Sequence, residues 1–339
     1  MKPLITFLNI EDSWEIEYLK NRLNGHHYIK HFKEPAEHVI EQIKETEILS
    51  IFVNSNVNKK VIDSLPNLKL ITTRSTGFDH IDLDAARQRN ISVSNVPTYG
   101  ENTVAEHTFA LILALARNLK KAQNKTSKGD FSIKDLIGFD LKGKTIGVIG
   151  TGHIGLRVIK IAVGFSMNVL AFARRPNQFL AEVMGFKFAD LDTILKESDI
   201  ITLHIPQTKE TRHLINKDNI NLVKKGTIFI NTSRGGLIDT DVLIKALDEG
   251  IFSGAGLDVL ENEDVILKDK QLLLSKKKEL YSPEKLKLML KSGFLLQRDN
   301  VIFTPHSAFY SKEALQRILD TTIQNIESFS EGRTINSVC

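Results

Sequence analysis

Thr145-Ile-Gly-Val-Ile-Gly150-Thr-Gly152-His-Ile-Gly155-Leu-Arg-Val-Ile159 is the stretch on which the reading of the fold depends. The apolar run Thr145–Ile149 reads as a buried parallel strand. After it, Ile154, Val158, Ile161 and Ala162 recur at helical spacing. The three glycines between strand and helix have separate uses. Gly150 permits a tight turn, Gly152 lets the backbone approach a pyrophosphate, and Gly155 lets the helix pack close to the strand. The helix N-terminus then favours phosphate charge. The glycine spacing alone is a weak signal, but in a strand–turn–helix setting it predicts dinucleotide binding.

A second strand, Asn168–Phe172, follows. In NAD-binding folds an acid about 20 residues past the glycines takes the ribose hydroxyls. Here the chain reads Ala173-Arg174-Arg175. Without the acid a 2′-phosphate is not repelled, and two guanidiniums can grip one in a forked geometry. The bland alternative is a solvated loop with two ordinary arginines. The combination favours NADPH, or use of both NADP and NAD.

The same alternation extends in both directions. Leu4–Leu8, Tyr28–Phe32, Ile48–Phe52, Leu70–Thr73 and Ile91–Ser94 read as strands, with helical stretches at Ala36–Lys44 and Leu83–Arg89. Thr103 and Glu106 form a capping-box pattern before a long helix whose apolar positions continue to about Leu119. Lys120–Lys134 reads as polar surface. A second set of strands falls at Thr145–Ile149, Asn168–Phe172, Ile200–His204, Thr227–Asn231, Gly254–Val259 and Val301–Thr304. Asp239 is a helix N-cap, Val242–Leu247 the helix body and Gly250 its stop. Strands alternating with helices predict α/β architecture with parallel sheets. The segment from Asp264 to Arg298, with a helical stretch at Pro283–Leu290, reads as an insertion without an assigned role.

Composition narrows the class. The chain has 339 residues, 42% hydrophobic and 25% charged, with a net charge of +4. That length favours two domains. No apolar run reaches the roughly 20 residues a membrane span requires. The opening Met1-Lys-Pro-Leu-Ile-Thr-Phe lacks a signal peptide's apolar stretch and cleavage site. Cys339 is the single cysteine, which fits a reducing cytoplasm. The dense basic run Lys276-Lys277-Lys278 meets Glu279 at once and reads as a solvated helix face rather than a nucleic-acid patch.

Three segments near the carboxyl ends of the second set of strands carry chemistry. Asn231-Thr-Ser-Arg234-Gly-Gly-Leu-Ile-Asp239 places an arginine after a strand, suited to clamp a carboxylate bidentately and polarise a carbonyl. Gly256-Leu-Asp258-Val-Leu-Glu261-Asn-Glu263 supplies carboxylates. Thr304-Pro-His306-Ser-Ala-Phe-Tyr310 supplies a histidine, and a histidine beside a carboxylate can donate a proton near neutral pH. Singly, each segment has a structural explanation. In this order behind a dinucleotide turn they point to one site, since ligands of open α/β sheets bind beyond the carboxyl ends of the strands.

These segments resemble the D-isomer-specific 2-hydroxyacid dehydrogenase family from end to end. Arg74-Ser-Thr-Gly-Phe-Asp-His-Ile-Asp82 and Asn95-Val-Pro-Thr-Tyr99 with Val104-Ala-Glu-His107 match the family's substrate-side segments. The resemblance implies two Rossmann-like/flavodoxin-like doubly wound domains with a cleft between them. Residues 1–99 with 309–339 would bind substrate, and residues 100–308 the nucleotide.

Position by position, the resemblance makes Arg234 the residue that binds the substrate carboxylate and carbonyl, His306 the general acid in reduction, and Glu263 its carboxylate partner. Glu263 is chosen over Glu261 because the family's acid stands five positions after the aspartate matched by Asp258. Thr76 and Gly77 would hold the substrate carboxylate, and Tyr99 and Phe309 would line the pocket. Val104, His153, Ile154, His204, Pro206, Thr232 and Asp258 would face the cofactor with Gly150, Gly152, Gly155, Arg174 and Arg175. No metal is implied. The long helix from Val104 pairs subunits in the family, which implies a homodimer.

Within the family, the aromatic pair after His306 and the insertion before it resemble D-lactate dehydrogenases. Glu263 in place of glutamine argues against formate dehydrogenase, and the last helix, Glu313–Phe329, is not followed by a regulatory domain of the long phosphoglycerate dehydrogenase type. The expected reaction is reversible reduction of a small 2-keto acid, pyruvate first, to the D-hydroxy acid. A glyoxylate or hydroxypyruvate reductase is the alternative. A nucleotide-sensing corepressor is a more distant one, since such relatives keep the same Arg, Glu and His.

Overall fold

The computed structural model describes residues 3–10, 12–23, 28–261, 291 and 293–339. The chain divides into two compact units, Met1–Tyr99 with Ser311–Cys339, and Gly100–Tyr310.

The first unit holds five parallel strands: β1 (Leu4–Phe7), β2 (Tyr28–His31), β3 (Ile48–Ile51), β4 (Leu70–Thr73) and β5 (Ser92–Ser94), in the order β2-β1-β3-β4-β5. This is the flavodoxin-like order, and it reverses between β1 and β3. Strands β3 and β4 are buried at every position, as a sheet covered on both faces requires. Leu49, Ile51, Ile71 and Val93 pack with Val61 and Ile62 of helix Lys59–Asp63 and with Ala85 and Ala86 of helix Leu83–Gln88. Ile5, Phe7, Ile48 and Leu70 pack with Ile16 and Leu19 of helix Ser13–Leu23 and with Leu319, Ile323 and Ile326 of helix Lys312–Ser330.

Arg74, directly after β4, is almost wholly buried. Its guanidinium donates to Leu8 O at 2.6 Å, Asn9 O at 3.0 Å and Ser50 Oγ at 3.1 Å. These acceptors lie on β3 and just past the end of β1, so the arginine fills the point where the strand order reverses. Burial lowers its pKa to about 10, with Glu15 acting in the opposite sense.

Among the described residues the second unit holds seven parallel strands: β6 (Thr145–Ile149), β7 (Asn168–Phe172), β8 (Lys187–Phe188), β9 (Ile200–Leu203), β10 (Thr227–Asn231), β11 (Phe252–Leu257) and β12 (Val301–Phe303). Their order, β12-β11-β10-β9-β6-β7-β8, is the Rossmann order extended by one strand, reversing between β6 and β9. Alternate residues of β10 serve opposite faces. Ile228 and Ile230 pack with Ala105, Phe109 and Ile112 of helix Glu101–Ala116 and with Val158 and Ile159 of helix His153–Gly164. Phe229 packs with Val242, Leu243 and Ala246 of helix Thr240–Asp248. The Asp239 carboxylate caps that helix by accepting from Asp241 N at 2.8 Å and from Val242 N, and Gly250 (φ +68°) follows its end.

Several boundaries differ from the sequence reading. The long helix begins at Glu101, so Thr103 and Glu106 lie inside it. Its N-cap is Gly100, with no side-chain cap, and Val104 N donating to Gly100 O at 2.8 Å closes the first turn. The helix stops at Ala116 because Asn118 takes a left-handed conformation (φ +50°). Part of the expected polar surface is a second helix, Leu119–Thr126, with none of its residues buried. Ala36–Lys44 is a short α-helix, Ala36–Val39, followed by a 3₁₀ turn. The two-residue β8 is too short to leave a periodic signal. Most of the Asp264–Arg298 insertion, including Pro283–Leu290, lies outside the described residues. Among the described residues no helix is long and apolar enough to cross a membrane.

Candidate active site

The glycine turn sits at the strand-order reversal of the second unit. Gly150 has φ +107°, and a Cβ there would lie 2.3 Å from His204 O. A Cβ on Gly155 would lie 1.9 Å from Gly150 O, so only glycine lets helix His153–Gly164 come this near β6. Gly152 is different. It caps the helix without a side-chain acceptor, and a Cβ on it would meet no atom within 4 Å among the described residues beyond its chain neighbours. The glycine there leaves open space before the helix N-terminus, where backbone N–H groups attract an anion.

His204 follows β9 and is buried beside this turn. Its Nε2 lies 2.9 Å from Thr202 Oγ1, and its buried Nδ1 has no hydrogen-bond partner among the described residues. Burial pushes its pKa down to about 3, so the ring is neutral at physiological pH. Pro206 is exposed two residues on. Arg174 and Arg175 are exposed just past β7. Glu210 is held below the ordinary carboxylate range chiefly by the Thr208 hydroxyl at 2.5 Å, with a smaller contribution from Arg174.

Arg234 stands on a turn made rigid by Asn231. That buried amide accepts from Ser233 N at 3.0 Å and donates to Arg234 O at 2.9 Å, while Ser233 Oγ donates to Leu203 O at 2.6 Å. The turn is therefore tied to the ends of both β9 and β10. Gly235 is required because the Leu260–Glu261 peptide would lie about 2 Å from its Cβ, nearest at the Leu260 carbonyl carbon, 2.0 Å. The Arg234 side chain is exposed, with Nη1 donating to Ser233 O at 2.7 Å. Thr232 is buried, and its hydroxyl lies 3.0 Å from Thr108 Oγ1.

Asp258, at the end of β11, is 1% exposed. Its Oδ1 accepts from Thr304 Oγ1 and from Ser307 N at 2.9 Å, and its Oδ2 accepts from Ala308 N at 2.9 Å. The Asp258 carbonyl accepts from His306 N at 2.9 Å. One buried aspartate thus holds the whole turn around His306, whose φ of +52° is uncommon for a residue with a side chain. His306 is half-buried, and the rings of Phe309 and Tyr310 meet edge to face 5.8 Å apart.

Glu261 is engaged elsewhere: Oε1 lies 2.9 Å from His213 Nε2 and 3.3 Å from Arg212, and Oε2 accepts from Thr240 Oγ1 at 3.2 Å. Glu263 lies outside the described residues.

In the first unit, Thr76 and Gly77 form a turn held by its carbonyls. Asn95 Nδ2 donates to Thr76 O at 2.8 Å, Ser75 Oγ donates to Gly77 O at 2.6 Å, and Thr76 Oγ1 donates to Val96 O at 2.9 Å. Thr73 Oγ1 joins Ser75 Oγ at 2.7 Å and His80 Nε2 at 3.1 Å. Burial lowers the pKa of His80, against Asp79, so it supports the turn as a neutral ring. Tyr99 is half-buried and its carbonyl accepts from Arg317 Nε at 2.6 Å. The supporting residues Asn95, His107, Asn231, Ser233 and Thr304 carry no separate signal in the sequence beyond their place in motifs.

A family model for the NAD-binding domain of D-isomer-specific 2-hydroxyacid dehydrogenases matches residues 109–308. The chain belongs to that family. The D-lactate dehydrogenase of Escherichia coli (strain K12) is 38% identical over 300 residues, covering 85% of this chain and 84% of that one. A glyoxylate reductase of Thermococcus litoralis is 35% identical over 305 residues, covering 88% and 85%. A solved D-lactate dehydrogenase from Aquifex aeolicus, complexed with NAD and lactic acid, superposes with a TM-score of 0.83 at 39% identity, covering 97% of this chain and 96% of that one.

Enzymes of this 2-hydroxyacid dehydrogenase family interconvert 2-keto acids and D-2-hydroxy acids with NAD(H). The glycine turn is compatible with that cofactor: among the described residues the space beside Gly152 at the helix N-terminus is open, and a Cβ would enter it. Replacing Gly152 with Ala should leave the melting temperature near wild type yet weaken NADH binding about tenfold or more, the loss expected for a displaced charge-assisted contact. Gly155→Ala should lower the melting temperature as well, because its Cβ meets backbone. NADH fluorescence titration and thermal unfolding of both variants check this. Equal NADH affinity in Gly152→Ala and wild type would remove the pyrophosphate from this turn.

Proposed function

We propose that this dehydrogenase reduces pyruvate to D-lactate, reversibly, either preferring NADPH or using NADPH and NADH alike. The observation that carries the reading is the Thr304–Tyr310 turn, where the buried Asp258 fixes the backbone around His306 and an aromatic pair follows. The likeness to D-lactate dehydrogenases over nearly the whole chain supports the substrate.

Each residue then has a chemical task. The Arg234 fork binds the keto-acid carboxylate and polarises the carbonyl. Backbone N–H groups of Thr76 and Gly77 hold a substrate carboxylate. Asn95 supports this, since accepting its proton at Thr76 O polarises the peptide that ends in Gly77 N–H. Bound NADH supplies the hydride for the new C–H bond. His306 gives its proton to the carbonyl oxygen as charge develops there. Glu263 favours the charged imidazole, and the engagement of Glu261 with His213, Arg212 and Thr240 supports the choice of Glu263. Tyr99 and Phe309 shape the side-chain pocket. Val104, His153, Ile154, His204, Pro206 and Thr232 contact the cofactor. Glyoxylate or hydroxypyruvate reduction is the second reading, supported by the glyoxylate reductase similarity. We also propose a homodimer: Phe131, Ile133 and Ile137 are 81%, 85% and 92% exposed, an apolar stretch suited to a second copy.

Steady-state reduction of pyruvate, glyoxylate and hydroxypyruvate ranks the substrates, and pyruvate is expected to have the highest kcat/KM. Arg234→Lys should raise KM and lower kcat together, and His306→Ala should cost about 10²-fold or more. Glu263→Gln keeps the side chain's size, removes its charge and should lower kcat for reduction about tenfold or more without abolishing activity. An unchanged kcat would exclude Glu263 from the proton path.

Arg174 and Arg175 predict measurable activity with NADPH, and an Ala173→Asp, Arg174→Ala double variant should shift kcat/KM toward NADH. A wild type that strongly favours NADH, with the ratio unchanged in the variant, would show that the arginines do not read the cofactor. For the dimer, light scattering should give twice the chain mass for wild type and a lower mass for Ile137→Asp. A monomeric wild type would overturn the assignment.

A further inference from the structure

His107 lies on helix Glu101–Ala116, between Val104 and Thr108 on the side that meets the strand ends. Its side chain is 23% exposed, and Nε2 stands 2.9 Å from Thr304 Oγ1 and 3.7 Å from Asp258 Oδ1. A threonine hydroxyl has one proton to give. Thr304 gives that proton to the buried Asp258 carboxylate. Thr304 Oγ1 is therefore an acceptor toward His107, and His107 Nε2 must carry the proton. The chain has one direction, from His107 Nε2–H to Thr304 Oγ1–H to Asp258 Oδ1, and ends on the carboxylate that holds Ser307 N and Ala308 N. A parallel tie lies one residue on. Thr108 Oγ1 donates to Val104 O at 2.8 Å, so it accepts from Thr232 Oγ1 at 3.0 Å.

We propose that His107 is a positioning residue for the reaction: through Thr304 and Asp258 it fixes the His306 turn to the helix that carries Val104 and Thr108. The proposal rests on the reading of His306 as proton donor. The His306 turn needs such a hold, because the left-handed backbone at His306 persists only where its surroundings over-determine it. Helix packing alone does not require a donor at Nε2, since Phe109, Leu111 and Ile112 already bury the helix against the sheet. The imidazole adds direction. It occupies the acceptor site of the Thr304 hydroxyl and leaves that hydroxyl's single proton for Asp258. Small displacements of a proton donor are costly, about 10²-fold for 1 Å.

Two measurements test this. Long-range ¹H–¹⁵N NMR of the wild-type enzyme should find Nε2 of His107 protonated in both the neutral and the charged ring. A neutral ring with its proton on Nδ1 would overturn the proposal, whatever substrate the enzyme takes. In kinetics, His107→Ala should lower kcat for reduction about tenfold, with the NADH dissociation constant close to wild type. His107→Gln places an amide N–H near the Nε2 position and should recover kcat to within about threefold of wild type. An unchanged kcat in His107→Ala, or equal losses in the Ala and Gln variants, would overturn the proposal. A wild type that reduces no 2-keto acid would instead defeat the functional reading, and the NMR result would still decide the direction of the hydrogen bonds.

Discussion

The carboxylate of Asp258 is withdrawn from water at the end of a buried strand, and its oxygens must find hydrogen-bond donors there. Burying an unpaired carboxylate costs several kcal/mol after relaxation. Thr304, Ser307 and Ala308 supply the compensating hydrogen bonds. None of these donors can leave without exposing that cost, so the segment after β12 is not a loop free to choose its shape. It must curl around the carboxylate, and the left-handed backbone of His306 follows from that requirement. The helix Glu101–Ala116 is drawn into the same arrangement through His107.

The glycine turn of the second unit is built the other way, by leaving side chains out. Gly150 and Gly155 let backbone meet backbone, and Gly152 keeps a volume clear. The strand ends at β11 and β12 and those at β6 and β9 therefore differ in kind. At β11 and β12 a buried charge organises its neighbours. At β6 and β9 the organisation comes from close packing of peptide groups beside the neutral His204.

Much of this arrangement was legible in the sequence, for identifiable reasons. Fully buried strands such as Thr227–Asn231 are apolar runs bounded by polar turns, and β4, β6, β7 and β10 begin and end where the pattern predicts. Asp239 and Gly250 mark a helix because capping is a local interaction. The helix at Glu101 was placed later than it lies because Thr103 and Glu106 mimic a cap, whereas the real start at Gly100 uses backbone alone. Arg234 and His306 stand out in the sequence as polar residues three positions past the apolar strands β10 and β12. The roles of Asn231, Asn95 and Thr304 were not legible, because a side chain that supports a turn through hydrogen bonds to distant backbone leaves no periodicity. The contact between Asn95 and Thr76 spans 19 residues, and that between Thr304 and His107 spans 197.

The first unit is assembled from two stretches of chain with the whole of the second unit between them. Helix Lys312–Ser330 supplies Leu319, Ile323 and Ile326 to the face formed by Ile5, Phe7, Ile48 and Leu70. During synthesis, residues 1–99 emerge long before that helix exists, and until then this face of their sheet is covered only in part, by helix Ser13–Leu23. The second unit has no such debt, since Gly100–Tyr310 is continuous. Order of birth and order of completion are thus reversed: the part of the protein made first is the part finished last, and until then its half-covered apolar face is open to misassociation.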